Sequence, residues 1–207
     1  MHIKVCGITN LKDARAAIEA GADWLGFNFY TRSPRYISPA DARKIIDALP
    51  ESVQSVGVFV NEDAPETIAR IADEAHLSAV QLHGDESNAY CRALMGERFV
   101  IKALLVGEGF APEQALEYEV NAILLDAFDA RAYGGTGRVV DWEVARRVRE
   151  LVPKLFLAGG LSPENVAEAI TVVEPFAVDA CSGLESAPGL KDEARLRAFV
   201  RSARVKP

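Results

Sequence analysis

Long apolar runs are missing from this chain. None approaches the roughly 18 residues of a membrane span, so no transmembrane segment is expected. Cysteine is scarce: Cys6, Cys91 and Cys181 form an odd count without metal-ligand spacing. Neither a disulfide framework nor a thiolate metal site is expected, and reducing cytoplasm is the simplest compartment. Positive charge is in deficit, with 23 Lys and Arg against 30 Asp and Glu, a net charge of −7. That balance disfavours non-specific binding to nucleic acid or an anionic membrane, while leaving room for a local basic pocket. No G-x-G-x-x-G follows the first strand pattern, which weakens a dinucleotide-binding reading. No charged n-region and apolar h-region precede His2, so no leader is expected. No low-complexity stretch, polar linker or shift in composition marks a boundary, and residues 1–207 are read as one domain.

What is present is alternation. Short runs rich in Val, Ile, Leu and Phe begin near His2, Trp24, Ser52, Ala79, Phe99, Ala122, Lys154 and Phe176. Amphipathic segments of helical period lie between them: Leu11–Ala20, Pro39–Leu49, Pro65–Ala75, Asn88–Met95, Pro112–Glu119, Trp142–Leu151, Pro163–Val173 and Lys191–Val205. Ser38-Pro39 and Ser162-Pro163 read as an N-cap followed by an N1 proline, and Asp141 as a further cap. Alternating strands and helices imply a parallel sheet covered by helices. Eight units in 207 residues leave about 26 residues each, with no leftover edge element. An α/β closed (β/α)8 barrel fits this better than a doubly wound open sheet.

Strands of a parallel barrel are packed on both sides and should be continuously apolar. Several here are not. Lys4 and Cys6 share one face of the first strand, and Gln81 and His83 share one face of the fourth. Asn28, Lys102, Asp126 and Asp179 interrupt the second, fifth, sixth and eighth. Cys6, His83, Asp126 and Asp179 fall near C-terminal strand ends, where this fold gathers its chemistry. Singly, each also suits a hydrogen-bonded polar layer, and a strand cysteine is commonly an inert core residue.

Gly159-Gly160 ends the seventh strand and Ser182-Gly183 follows the eighth, with Pro188–Lys191 able to form a short extra helical turn. Backbone N–H groups in such turns bind phosphate, although the glycines also suit plain caps and tight turns. Gly134–Gly137 reads as a loop over the site. Arg35, in Ser33-Pro34-Arg35-Tyr36, offers a planar fork for a carboxylate or phosphate, or is a solvated surface charge.

These motifs in this order resemble the phosphoribosylanthranilate isomerase family. The likeness runs from Lys4–Thr9 through Gly26–Phe29, Ser33–Tyr36, Val58–Asn61, Gln81–Gly84, Leu124–Asp126, Gly135–Gly137 and Leu157–Leu161 to Val178–Glu185. The resemblance implies an Amadori rearrangement of N-(5-phosphoribosyl)anthranilate without metal or organic cofactor. It makes Asp126 the general acid and Cys6 the general base, and Arg35 the clamp for the anthranilate carboxylate. Gly159, Gly160, Ser182 and Gly183 become the phosphate grip, with His83 and Asp179 as substrate-binding pocket residues. The expected partner is a small phosphorylated substrate, and the chain a monomer or homodimer. Cys181 departs from the serine common in the family, and the closure of a barrel would bring it near Cys6. Rival readings are a Schiff-base lyase using Lys4 or Lys102, the related histidine-pathway isomerase, and a non-catalytic phosphometabolite binder.

Overall fold

The computed structural model describes residues 1–96, 98–127 and 140–205. Eight parallel strands form a closed barrel in chain order: β1 (His2–Cys6), β2 (Trp24–Asn28), β3 (Gln54–Phe59), β4 (Ala79–Leu82), β5 (Phe99–Val106), β6 (Ala122–Ala127), β7 (Leu155–Leu157) and β8 (Ala177–Ala180). Closure is made where β8 pairs with β1, in the register Lys4 opposite Asp179 and Val5 opposite Ala180. The outer helices are α1 (Leu11–Ala20), α2 (Pro39–Ile46), α3 (Pro65–Glu74), α4 (Asn88–Ala93), α5 (Trp142–Leu151), α6 (Val166–Val173) and α7 (Glu193–Arg204).

Strand alternation divides the apolar residues into two cores. Trp24, Val56, Ala79, Ile101, Leu124, Phe156 and Ala177 fill the barrel interior. Ile3, Val5, Leu25, Phe27, Val80, Ile123, Leu125 and Val178 point outward and join the helices' apolar faces in a larger core. The parity assigns each polar break in the strands to a side. Lys4, Gln81, Asp126 and Asp179 share the inward face. Lys102 shares the outward face of β5 with Val100 and Leu104 and lies behind the barrel wall.

Helix starts follow local chemistry. Ser38 accepts from Asp41 N at 3.1 Å ahead of Pro39, and Asp141 accepts from Glu143 N at 2.9 Å, as expected. Three expectations are corrected. Ser162-Pro163 does not begin α6: Asn165 Oδ1 accepts from Ser162 N at 2.8 Å, closing a separate turn, and the helix starts at Val166. Pro112–Glu117 forms a short 3-10 helix that ends at extended Tyr118. Pro188–Lys191 is not helical. The short extra helix is the 3-10 turn Ser182–Leu184, and the following chain is a hairpin of β9 (Glu185–Ala187) and β10 (Leu190–Lys191) turning at Gly189 with φ +80°.

Candidate active site

The inward residues at the C-terminal end of the barrel converge. Cys6 ends β1, Asp126 lies near the end of β6, and His83 immediately follows β4. Asp126 Oδ1 accepts from Ala127 N at 2.8 Å, which fixes the carboxyl plane and leaves Oδ2 at 3.4 Å from His83 Nε2. His83 Nδ1 lies 2.8 Å from Gln81 Nε2. With Nδ1 accepting from that amide, the ring proton sits on Nε2, toward the carboxylate. The contact is not aligned as a hydrogen bond. His83 Nε2, Gln81 Oε1 and Asp179 Oδ1 are all buried without a partner. Buried polar atoms are rarely left unpaired, and three inside one barrel mouth suit the hydroxyls of a polar ligand.

Beneath this layer Lys4 Nζ meets Asp179 Oδ2 at 2.8 Å, with the lysine fully buried. Burial opposes the Lys4 charge, but Asp179 and Cys6 beside it keep the ammonium protonated and its pKa raised. Burial pushes Asp179 up to about 7 against the pull of Lys4. A hydrogen bond from Cys181 is the largest cause holding the Cys6 thiol well below its usual range. Lys4 and Lys191 add to it and, together with that hydrogen bond, outweigh burial. The thiolate form, the basic one, is therefore favoured.

Arg35 is not a solvated charge. Its Nε lies 2.9 and 3.1 Å from the two carboxylate oxygens of Glu185, and Nη2 lies 2.7 Å from Oε2. Lys191 Nζ donates to Glu185 Oε1 at 2.9 Å and to Cys181 O at 3.2 Å, and Gly189 N donates to Glu185 Oε1 at 3.2 Å. Against the cost of burial, Arg35 and Lys191 hold Glu185 below the usual carboxylate range. Two cations thus share one anion, leaving positive charge at the corner between Cys6 and the β2 loop.

Beside β7 and β8 two glycine-bearing loops touch. Gly159 and Gly160 have φ of +79° and +64°, conformations that glycine adopts freely. A Cβ on Gly183 would sit 2.2 Å from Leu161 O, so only glycine lets the loops approach this closely. Among the described residues, the N–H groups of Gly159, Gly160, Ser182 and Gly183 donate to no protein acceptor. Free amides at paired loop ends make an anion cradle.

All nine residues picked from the sequence lie at this end of the barrel. The Gly134–Gly137 loop is outside the described residues. Lys102 does not join the site: its Nζ contacts Gly84 O at 2.6 Å and Glu86 Oε2 at 2.8 Å on the outer side of the wall. Lys4 carries a raised pKa, the reverse of what a Schiff-base lysine needs. Sequence reading missed Glu185, Lys191 and Glu86. Glu185 lies inside a motif that was noticed, but an acidic residue after a strand does not announce which arginine it holds.

Such a mouth, with a thiol and a carboxyl group facing inward and an anion cradle beside the last two strands, defines a (β/α)8-barrel enzyme of the phosphosugar isomerase class. The family model described as N-(5'phosphoribosyl)anthranilate (PRA) isomerase matches residues 3–202. The N-(5'-phosphoribosyl)anthranilate isomerase of Trichlorobacter lovleyi is 49% identical over 204 residues, covering 99% of this chain and 98% of that protein. The Thermotoga maritima enzyme is 48% identical with the same coverage. The crystal structure of Thermotoga maritima phosphoribosyl anthranilate isomerase superposes with a TM-score of 0.92 at 46% identity, covering 99% of this chain and 98% of that one. A phosphoribosyl anthranilate isomerase in complex with reduced 1-(o-carboxyphenylamino)-1-deoxyribulose 5-phosphate gives 0.89 at 46% identity, with the same coverage. The chain belongs to the N-(5'-phosphoribosyl)anthranilate isomerase family, the aldose–ketose isomerases of tryptophan biosynthesis.

Proposed function

We propose that the site converts N-(5-phosphoribosyl)anthranilate to 1-(2-carboxyphenylamino)-1-deoxyribulose 5-phosphate by proton transfer between Asp126, Cys6 and substrate. Asp126 Oδ2 delivers a proton to the ribose ring oxygen as the C1′–O bond breaks, and the anthranilate nitrogen lone pair forms the C1′=N bond of a Schiff base. The Cys6 thiolate then takes the C2′ proton. The C2′–H electrons form the C1′=C2′ bond, the C=N pair returns to nitrogen, and an enolamine results. Tautomerisation gives the ketone. An acid and a base must hold opposite protonation states at one pH. The depressed Cys6 thiol supports its half of that requirement.

Arg35 holds the anthranilate carboxylate, Gly159, Gly160, Ser182 and Gly183 hold the phosphate, and His83 and Asp179 hold sugar hydroxyls. No cofactor enters the scheme. The chain works as one catalytic domain in the cytoplasm, as a monomer or homodimer, and without nucleic acid. The family's Thermotoga maritima enzyme is described as dimeric, and no helix among the described residues is long and apolar enough to cross a membrane.

The observation that carries the reading is the convergence of Cys6 and Asp126 inside one barrel mouth beside free backbone amides. The test generates phosphoribosylanthranilate in situ and follows the loss of its fluorescence. Cys6→Ala and Asp126→Asn should each lower kcat by about 10²–10⁴-fold while melting near the parent temperature. Parent-like turnover in both would reject the mechanism.

A further inference from the structure

Cys181 exchanges no proton with substrate in that scheme, yet it lowers the Cys6 thiol and stands beside it. The β1–β8 register, with Lys4 opposite Asp179 and Val5 opposite Ala180, brings the two strands to Cys6 and Cys181 at the next step, and a Cβ on Gly7 would sit 2.9 Å from Cys181 Sγ. Cys6 follows the inward parity of Lys4, and Cys181 is the first residue after β8. Opposed residues on neighbouring strands lie about 4.8 Å apart, within the roughly 4.4–6.8 Å that a disulfide spans between Cα atoms. The two thiols shift each other's titration, Cys6 downward and Cys181 upward. Both residues are partly exposed, whereas Cys91 is fully buried in the outer core.

We propose that Cys6 and Cys181 form an oxidation site, a dithiol that hydroperoxides convert into a disulfide across the β1–β8 seam. The Cys6 thiolate attacks one oxygen of the hydroperoxide. An S–O bond forms, the O–O bond breaks, and the departing oxygen leaves as hydroxide or alkoxide and takes up a proton. Cys6 is then a sulfenic acid, oxidised by two electrons. Cys181 loses its proton and attacks that sulfur. The S–S bond forms, the S–O bond breaks, and hydroxide leaves with the proton as water. With hydrogen peroxide the balance is two thiols and one peroxide to one disulfide and two waters.

The surroundings favour the second step. Lys191 Nζ lies 3.9 Å from Cys181 Sγ and stabilises a thiolate there. The hydrogen bond with Cys6 is the main cause holding the Cys181 thiol up, and it is relieved once Cys6 becomes a neutral sulfenic acid. A serine at position 181 could not resolve that sulfenic acid, and peroxide would carry Cys6 on to the sulfinic state.

The cross-link rests on the neighbouring positions of the two thiols; its effect on turnover rests on the reading of Cys6 as the base. The test treats the intact chain with stoichiometric hydrogen peroxide and counts thiols after denaturation. The count should fall from three to one. A tryptic digest without reductant should link Val5–Lys12, which carries Cys6, to Leu155–Lys191, which carries Cys181, with the loss of two hydrogens. Turnover should fall by about 10²–10⁴-fold and return with dithiothreitol. Cys181→Ser should give no linked peptide, and dithiothreitol should not restore its peroxide-treated activity. Three free thiols and no linked peptide in the treated parent would overturn the proposal, as would full dithiothreitol recovery of Cys181→Ser. A linked peptide with unchanged turnover would uphold the oxidation site and remove Cys6 from catalysis.

Discussion

Lys4 and Asp179 are joined inside the barrel, Nζ to Oδ2 at 2.8 Å, across the seam where the last strand meets the first. The pair ties the two ends of the sheet at the floor of the site. It also brings a buried carboxyl group whose protonation is coupled to folding.

Burial lifts Asp179 from an ordinary value of 3.8 to about 7, despite Lys4. Between those limits the folded chain holds a proton that the unfolded chain has released. Stability therefore falls as pH rises through that window and levels off above it. Asp179→Asn removes this contribution. Urea midpoints at pH 4.5 and 7 should lie closer together in the variant than in the parent, and an identical spread would refute the assignment.

Glu185 holds the Arg35 fork through Nε and Nη2, so Glu185→Gln should leave the arginine poorly aimed rather than absent. Hydrogen bonds to charged groups contribute about 1.5–3 kcal/mol, which corresponds to a KM roughly ten- to a hundredfold higher. kcat should drop less, because the reacting atoms are elsewhere. Arg35→Lys should behave alike, since an ammonium lacks the fork. A parent-like KM in both variants would show that the arginine does not read the substrate carboxylate.

Gly183→Ala places a methyl group 2.2 Å from the carbonyl oxygen of Leu161 and forces the β7 and β8 loops apart. The apparent affinity for phosphoribosylanthranilate and the inhibition constant for inorganic phosphate should weaken together, by about tenfold or more for a loss near 1.4 kcal/mol. Circular dichroism should remain parent-like. Unchanged phosphate inhibition would place the anion elsewhere.

Lys102 and Glu86 pair behind the wall at 2.8 Å, with side chains only 1% and 2% exposed. Lys102→Met or Glu86→Gln alone leaves a buried group without its partner and should cost about 3–5 kcal/mol of unfolding free energy. The double variant should cost less than the sum, and denaturant titration measures the coupling. Borohydride with substrate should trap no adduct on Lys102. An adduct there would revive the lyase reading.

How far the sequence could be read is seen by comparing Lys4 with Lys102. Both interrupt apolar strands, and period-two alternation finds both equally well. One faces the site and the other the helices, because facing depends on which neighbours each strand meets in the closed sheet. The same limit separates α1 from α6. α1 spans the expected Leu11–Ala20, with Asn10 capping it and Gly21 ending it, all within a few residues. Ser162-Pro163 carries an equally good start signal, but Asn165 captures Ser162 N and delays the helix.

The order of eight strands and the placement of Cys6, His83, Asp126 and Asp179 near C-terminal strand ends follow from the sequence, because side-chain periodicity and turn chemistry act over a few residues. Only the tertiary structure decided that Arg35 binds Glu185, 150 positions away, and that Lys4 pairs with Asp179. Those contacts exist because hydrogen bonds between β8 and β1 close the barrel, and the pairing of the chain's two ends leaves no local signature in either segment.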